Sequence, residues 1–365
     1  DTTTFGQFSG IYYIGYSLMH LPLGIMLDRF GPKKILPLCM IMTVIGLLPL
    51  IFAEYWVYPI LGRALIGMGS SAAILGSFKV IRLNFSEVHF TRMLSLTVTV
   101  GLIGAIYGGG PVNYMCSTMG YKTVIGLFCM LGIGLAIITY FITAPTPFVP
   151  KTSIFNDVKE VFTNSKVIFI CLLAGLMVGP LEGFADVWGP AFLKQNYGFD
   201  SVLAAPLPSL IYIGMCFGSP LLSFVAEKTN SYFGTIVIAA LIMASSFFVL
   251  TLGYATMNSI SVIFVAVGAC SAYQILAIYK ASTYVKEHMV GLTTAIANMI
   301  IMTFGYAFHS IIGAIINIMG GPQSSTAFSF GIAIIPVALL VGMAGFIGLM
   351  IFDRFKGSPS KLKQA

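Results

Sequence analysis

Apolar residues run along this chain in blocks long enough to cross a bilayer, with short polar turns between them. A helix of about 20 apolar residues spans a hydrocarbon core. Eleven stretches have that character, near 8–27, 35–53, 57–80, 93–116, 122–143, 167–190, 206–226, 233–253, 259–280, 291–318 and 327–352. The longest polar interruption, 145–166, begins among Pro145, Pro147 and Pro150 and then carries an amphipathic pattern from Ile154 to Phe162. It reads as a linker with a short surface helix. The pattern predicts an all-α integral membrane protein: an N-terminal bundle over 1–144, the linker, a C-terminal bundle over 167–352 and a tail over 353–365.

The two bundles are related. Tyr13-Ile14-Gly15 recurs as Tyr212-Ile213-Gly214, and Asp28-Arg29 recurs at the same offset as Glu227-Lys228. Stretch 8–27 therefore matches 206–226, the second stretch of the later bundle. Five stretches then stand against six, and the chain is expected to begin after a first transmembrane helix.

Composition narrows the function. Of the 365 residues, 58% are apolar and only 8% are Asp, Glu, Lys or Arg, against roughly 25% charged in a soluble domain. A soluble enzyme and a nucleic-acid binder are excluded. The net charge of +7 reflects basic residues gathered at cytoplasmic ends. With the 28–34 turn inside, all nineteen Lys and Arg lie at that side except Lys122, Lys194 and the intramembrane Arg63. Linker and C-terminus are then cytoplasmic, and Tyr55, Trp56 and Tyr58 belong to an outer aromatic belt. Compact loops point to a bacterial inner membrane. The six cysteines lie in apolar stretches without a C-x-x-C pair, so they read as buried thiols, not disulfides or metal ligands. No G-x-x-x-x-G-K-[ST] loop appears, which disfavours ATP-driven transport.

The first turn reads Gly24-Ile-Met-Leu-Asp28-Arg29-Phe-Gly31-Pro32-Lys33-Lys34. Gly31 permits a tight turn. Asp28 closes a helix C-terminus, where a lone carboxylate is unfavourable, so pairing with Arg29 or a neighbouring basic group is expected. The turn resembles the signature loop G-x-x-x-D-R-x-G-R-R/K of the major facilitator superfamily, with Pro32 where a basic residue is usual. Gly62-Arg63-Ala-Leu-Ile-Gly67-Met-Gly69 resembles the R-x-x-x-G-x-G of that family's fourth helix. Gly101-Leu-Ile-Gly104-Ala-Ile-Tyr-Gly108-Gly109-Gly110-Pro111 resembles in part the fifth-helix motif of its antiporters, with Gly109 where proline is expected. The resemblance covers the whole chain. It implies two six-helix bundles in pseudo-repeat, eleven transmembrane helices being visible here, and alternating access to a central cavity lined by helices 1, 4, 7 and 10. It implies no cofactor and a monomer. Gly24, Asp28, Arg29, Gly31, Lys33 and Lys34, with Glu227 and Lys228 as the second copy, form the expected cytoplasmic gate, a latch that breaks during transport.

Ionisable residues within a span are costly and are candidates for function. Arg63 can serve an anionic substrate group or tune a carboxylate. Glu182 and Asp186 are four apart, on one helix face, and two carboxylates there repel, so a proton is expected on one of them. Gly179, Pro180, Gly183, Gly189 and Pro190 argue against a straight helix around them, and broken helices line transporter sites. By the family analogy Tyr273 and Gln274 are substrate contacts. His309 is a candidate proton relay, against a packing role that it shares with His20. Asn298 and Asn317 read as glue between helices, and Lys79 and Lys280 as lysines reaching the cytoplasmic surface. The expected function is proton-coupled symport of a small polar anionic or zwitterionic solute. A proton antiporter exporting a metabolite, siderophore or drug is the alternative. A non-transporting sensor and a membrane-embedded enzyme are the rivals of another class.

Overall fold

The computed structural model describes residues 1–85, 87–145, 154–286 and 289–356, and no strand occurs among them. The first half holds α1 (Thr2–Phe30), α2 (Pro32–Leu47), α3 (Pro49–Phe52), α4 (Val57–Ser70), α5 (Ala72–Asn84), α6 (Glu87–Met119) and α7 (Tyr121–Ile142). A short α8 (Ile154–Thr163) follows, where the amphipathic pattern places it. The second half holds α9 (Ser165–Gly183), a π-helical turn (Phe184–Trp188), α10 (Gly189–Tyr197), α11 (Ser201–Ala204), α12 (Ser209–Thr229), α13 (Tyr232–Thr251), α14 (Met257–Ser271), α15 (Tyr273–Ser282), α16 (Val290–Ile318) and α17 (Ser325–Lys356). Among the described residues, 10 helical segments are long and apolar enough to cross a membrane. The remaining expected stretch, 93–116, lies in the 33-residue α6, where several side chains fall outside the described residues.

The two halves repeat one another in backbone detail. Gly31 closes α1 at φ 77, and Asn230 closes α12 at φ 49, positions where a residue tolerant of positive φ is needed. Pro32 then opens α2, where its missing N–H costs nothing. Gly15 of α1 lies against the Ala64 backbone of α4, and Gly67 of α4 against the Tyr12 backbone of α1. In the second half Gly214 meets Val265, and Gly268 meets Ile211. Small residues let helices approach closely where lipid supplies no hydrophobic force between them.

Two stretches expected as single helices are interrupted, at Ser71 between α4 and α5 and at Ala272 between α14 and α15. Before each break a serine hydroxyl competes for helical carbonyls. Ser70 Oγ donates to Ile66 O at 2.6 Å, and Ser271 Oγ to Gly268 O at 2.7 Å. Such back-bonding bends helices. The stretch around the carboxylates is broken too. Pro190 has no N–H to give, and the Gly189 N–H reaches back to Phe184 O across a π-type turn, a local widening that marks many functional sites.

Helix α1 packs against α4 and α16, and α12 against α14 and α6, so each half touches the other through α1–α16 and α6–α12. The larger core lies in the second half around Phe184, Phe192, Phe247 and Phe264. Exposed Phe141, Ile142 and Phe217 form surfaces suited to hydrocarbon. Of the cysteines expected to be buried, Cys116 and Cys216 are only partly so, and all six are free thiols.

Candidate functional site

Glu182 lies at the end of α9 and Asp186 within the π turn. Their one-turn spacing brings both carboxylates to a single hydroxyl. Tyr13 of α1 places its oxygen 2.9 Å from Glu182 Oε2 and 2.5 Å from Asp186 Oδ2. The Tyr212 hydroxyl of α12 donates to the other oxygen, Asp186 Oδ1. Tyr13 and Tyr212 are the paired tyrosines of the internal repeat. One phenol from each half thus converges on one carboxylate. Neither tyrosine was a candidate on charge grounds; the Tyr-Ile-Gly repeat was the signal that could have found them.

Arg63 stands on the α4 side of the same region. Its guanidinium lies 5.3 Å from the Tyr12 ring centroid and 5.9 Å from that of Phe8, within cation–π range. Its Nε is buried without a hydrogen-bond partner among the described residues. The Tyr12 hydroxyl lies 3.0 Å from Ser70 Oγ, beside the helix break. The site therefore holds acidic groups on one wall and an aromatic-supported cation on another.

A cavity opens beside Glu182 and Tyr212, lined by Ser271, Gln274 and the apolar Val178, Leu181 and Met215. Gln274 lines it. Tyr273 does not: it is fully buried, with its hydroxyl donating to the Ala174 carbonyl at 2.7 Å. Its place just after the break turns it into the α9 interface, so it anchors two helices.

His309 is 1% exposed. Its Nδ1 lies 2.7 Å from Gly305 O, its ring leans on Tyr13 at 5.2 Å, and its carbonyl accepts from Trp188 Nε1 at 3.2 Å. It packs beside the carboxylate cluster, and among the described residues it makes no hydrogen bond to either acid. His20 Nε2 lies 3.1 Å from Asn298 Nδ2 and tilts against Tyr16, a polar link between α1 and α16.

The gate residues lie at the α1–α2 turn. Gly24 has open space around it. The Asp28 side chain falls outside the described residues. Arg29 lies 5.9 Å from the Phe30 ring, and Lys34 is exposed. Lys33 Nζ donates to Thr143 O at 3.1 Å and sits over Tyr140, tying α2 to the end of α7. Glu227 and Lys228 close α12 in exposed positions, and Lys228 lies over Phe224. Lys280 is half-buried among the rings of Tyr232, Phe233 and Tyr284.

A family model described as Major Facilitator Superfamily matches residues 1–310. The chain belongs to the Major Facilitator Superfamily. Known superfamily proteins resemble it at low identity. A lysosomal dipeptide transporter of Danio rerio is 24% identical over 379 residues, covering 94% of this chain and 77% of that protein. A chloramphenicol resistance protein of Acinetobacter baumannii is 21% identical, covering 82% and 74%. A nitrite extrusion protein of Bacillus subtilis is 21% identical over 200 residues, and the chain spans 46% of its length. The chain spans 66% of an uncharacterized transporter of the same organism. Among solved structures, a bacterial homologue of the human lysosomal transporter Spinster superposes with TM-score 0.74 at 17% identity, covering 95% of this chain and 88% of that one. The nucleoside transporter NupG superposes with TM-score 0.71 at 14% identity, covering 95% and 91%. The superfamily fold is shared.

Proposed function

We propose that this superfamily member is a proton-coupled symporter that carries a small polar anionic or zwitterionic solute by alternating access. The supporting observation is the Glu182–Asp186 pair, engaged by Tyr13 of one half and Tyr212 of the other. A carboxylate pair in a low dielectric is a natural proton acceptor. Arg63 supplies the complementary charge for a substrate carboxylate, with its Nε free to donate. A zwitterion would set its ammonium toward the acids and its carboxylate toward Arg63. A dipeptide, the substrate class for which the Danio rerio relative is named, has that chemistry.

The bundles 1–144 and 167–352 would rock about this site, with linker and C-terminus on the cytoplasmic side of a bacterial cell membrane. The carrier is read as a monomer. Antiport is the second reading, favoured by relatives named for nitrite extrusion and chloramphenicol resistance.

Flux in proteoliposomes tests the reading. The protein would be challenged with amino acids, dipeptides and organic acids while internal pH and solute uptake are followed. Solute-dependent entry of protons together with solute supports symport. Proton movement against solute movement replaces symport with antiport. Folded protein that moves solute without moving protons defeats the coupling.

A further inference from the structure

The cavity on the second-half wall is an apolar cup with a few polar groups set into it. Val178, Leu181, Ile211 and Met215 form the cup, and Glu182, Tyr212, Ser271 and Gln274 are its polar residues. Ser271 and Gln274 come from either side of the break at Ala272. The cavity volume is about 10 Å³, room for a single water-sized group.

The placement of hydrogens limits what that group can be. The Ser271 hydroxyl gives its hydrogen to Gly268 O at 2.7 Å, so toward the cavity it can only accept. The Tyr212 hydroxyl is engaged with Asp186. Glu182 meets the Tyr13 hydroxyl through Oε2 at 2.9 Å, and its Oε1 has no hydrogen bond among the described residues. The Gln274 amide has none among them either, and it can turn its oxygen inward. Apart from that amide's NH2, the lining keeps no hydrogen to give while Glu182 is ionised. An occupant must therefore bring hydrogens of its own. A carboxylate or nitrate brings none and meets Glu182 as a like charge. Calcium and magnesium take six or more oxygens, more than these side chains offer. A primary ammonium brings three hydrogens, is close to water in size, and carries the charge that an acid in a low dielectric favours. A carboxylate pair that has taken up one proton still holds one negative charge, so the ammonium keeps its counter-charge.

We propose that this cavity seats the primary ammonium of the transported solute, with Glu182, Ser271 and Gln274 accepting its three hydrogens, and that it sorts amines by how many N–H groups they bring. The proposal rests on the reading of this region as the solute site, and it narrows the zwitterion to one with an unsubstituted amino group. Each N-methyl group removes a hydrogen and adds volume that the apolar cup cannot hold. A site built to hydrogen-bond N–H groups rejects an analogue lacking them far more strongly than an apolar pocket rejects one methylene. Ser271 and Gln274 are thereby specificity-determining residues.

The experiment is counterflow of radiolabelled alanylalanine in proteoliposomes at about pH 6, where an α-amino group is charged. Competitors are alanylalanine itself and its N-methyl, N,N,N-trimethyl and N-acetyl derivatives. The same series on glycine covers a smaller solute. Inhibition constants are expected to rise about tenfold for the N-methyl compound and about a hundredfold for the trimethyl and acetyl compounds. Gln274→Leu should raise the constant for alanylalanine about tenfold, the loss of one hydrogen bond to a charged group. It should leave the trimethyl compound unchanged, so the discrimination shrinks; a uniform loss across the series would mean a structural role and overturn the assignment of Gln274. The derivative series needs no substitution, so it decides even where a variant does not fold. Equal competition by the trimethyl compound overturns the site, as does indifference of folded protein to alanylalanine and glycine alike. Competition by sodium that is lost in Gln274→Leu reassigns the cavity to an inorganic cation and overturns it too. Organic-acid flux with proton entry but no response to amines defeats the site and leaves the coupling reading standing. The expected amine order without proton movement supports the site and defeats the coupling reading.

Discussion

Glu182 and Asp186 are chemically alike, and their surroundings divide their work. Asp186 accepts from two phenols, whereas Glu182 has one contact and faces the cavity with Gln274. Glu182→Gln is therefore expected to abolish proton-driven accumulation while solute exchange across the membrane persists. Radiolabelled uptake against a gradient, compared with counterflow, checks this, and unchanged accumulation removes Glu182 from the mechanism. Arg63 offers shape as well as charge. Its planar guanidinium lies on Tyr12 and Phe8, and a lysine would keep the charge without the fork or the stacking. Arg63→Lys should raise KM for an anionic or zwitterionic solute by about tenfold, or about 1.4 kcal/mol, with a smaller change in maximal rate. A KM unaffected by the substitution would separate Arg63 from substrate binding.

At the scale of elements, the helix crossings that hold the cavity wall rest on glycine. A methyl group at Gly15 or Gly268 meets the backbone carbonyl of Ala64 or Ile211, and backbone cannot swing aside as a side-chain tip can. Gly126 in α7 has open space around it. Gly15→Ala and Gly268→Ala should each destabilise the protein by about 1–3 kcal/mol through overpacking. Gly126→Ala should be neutral or slightly stabilising, because alanine restricts the unfolded chain more. Thermal unfolding in detergent measures both, and equal midpoints in all three variants would contradict the close crossings. The breaks after Ser70 and Ser271 belong to the same scale. Ser271 lines the cavity beside Glu182, and each break follows a serine bonded back to its own helix.

For the whole molecule, the question is what ties moving parts at the ends of the helices. On the linker side Lys166 pairs with Asp353 at 2.7 Å, and Tyr284 donates to the same carboxylate at 2.5 Å. Burial, with the Asp353 hydrogen bond and charge added, pushes the Tyr284 phenol above its ordinary range, so it stays a donor at physiological pH. Lys286 reaches Glu160 of α8 at 3.0 Å, which docks the linker helix onto the second half. These pairs are partly solvated, and Lys166→Gln should lower stability by no more than about 1 kcal/mol. A larger drop in the unfolding midpoint would mean that the network is cooperative. The first-half gate is expected to act on rate: Asp28→Asn should slow transport with little change in substrate affinity. Stopped-flow transport beside equilibrium binding separates the two, and lost binding would argue against a latch.

Hydrophobic run length alone determined the all-helical membrane architecture, because spanning a bilayer demands long apolar helices whatever their partners. The Asp28–Gly31 turn and the Tyr-Ile-Gly repeat also carried the family resemblance and the kinship of the halves, since both are local patterns. The one-turn spacing of Glu182 and Asp186 was legible for the same reason. Only the tertiary structure decided that Tyr13 and Tyr212 meet at those acids, because their convergence depends on how α1 and α12 cross the broken helix between α9 and α10. It also decided that Tyr273 is an anchor while its neighbour Gln274 faces the cavity. One residue along a helix rotates a side chain by about 100°, and a break beside it resets which direction is inward.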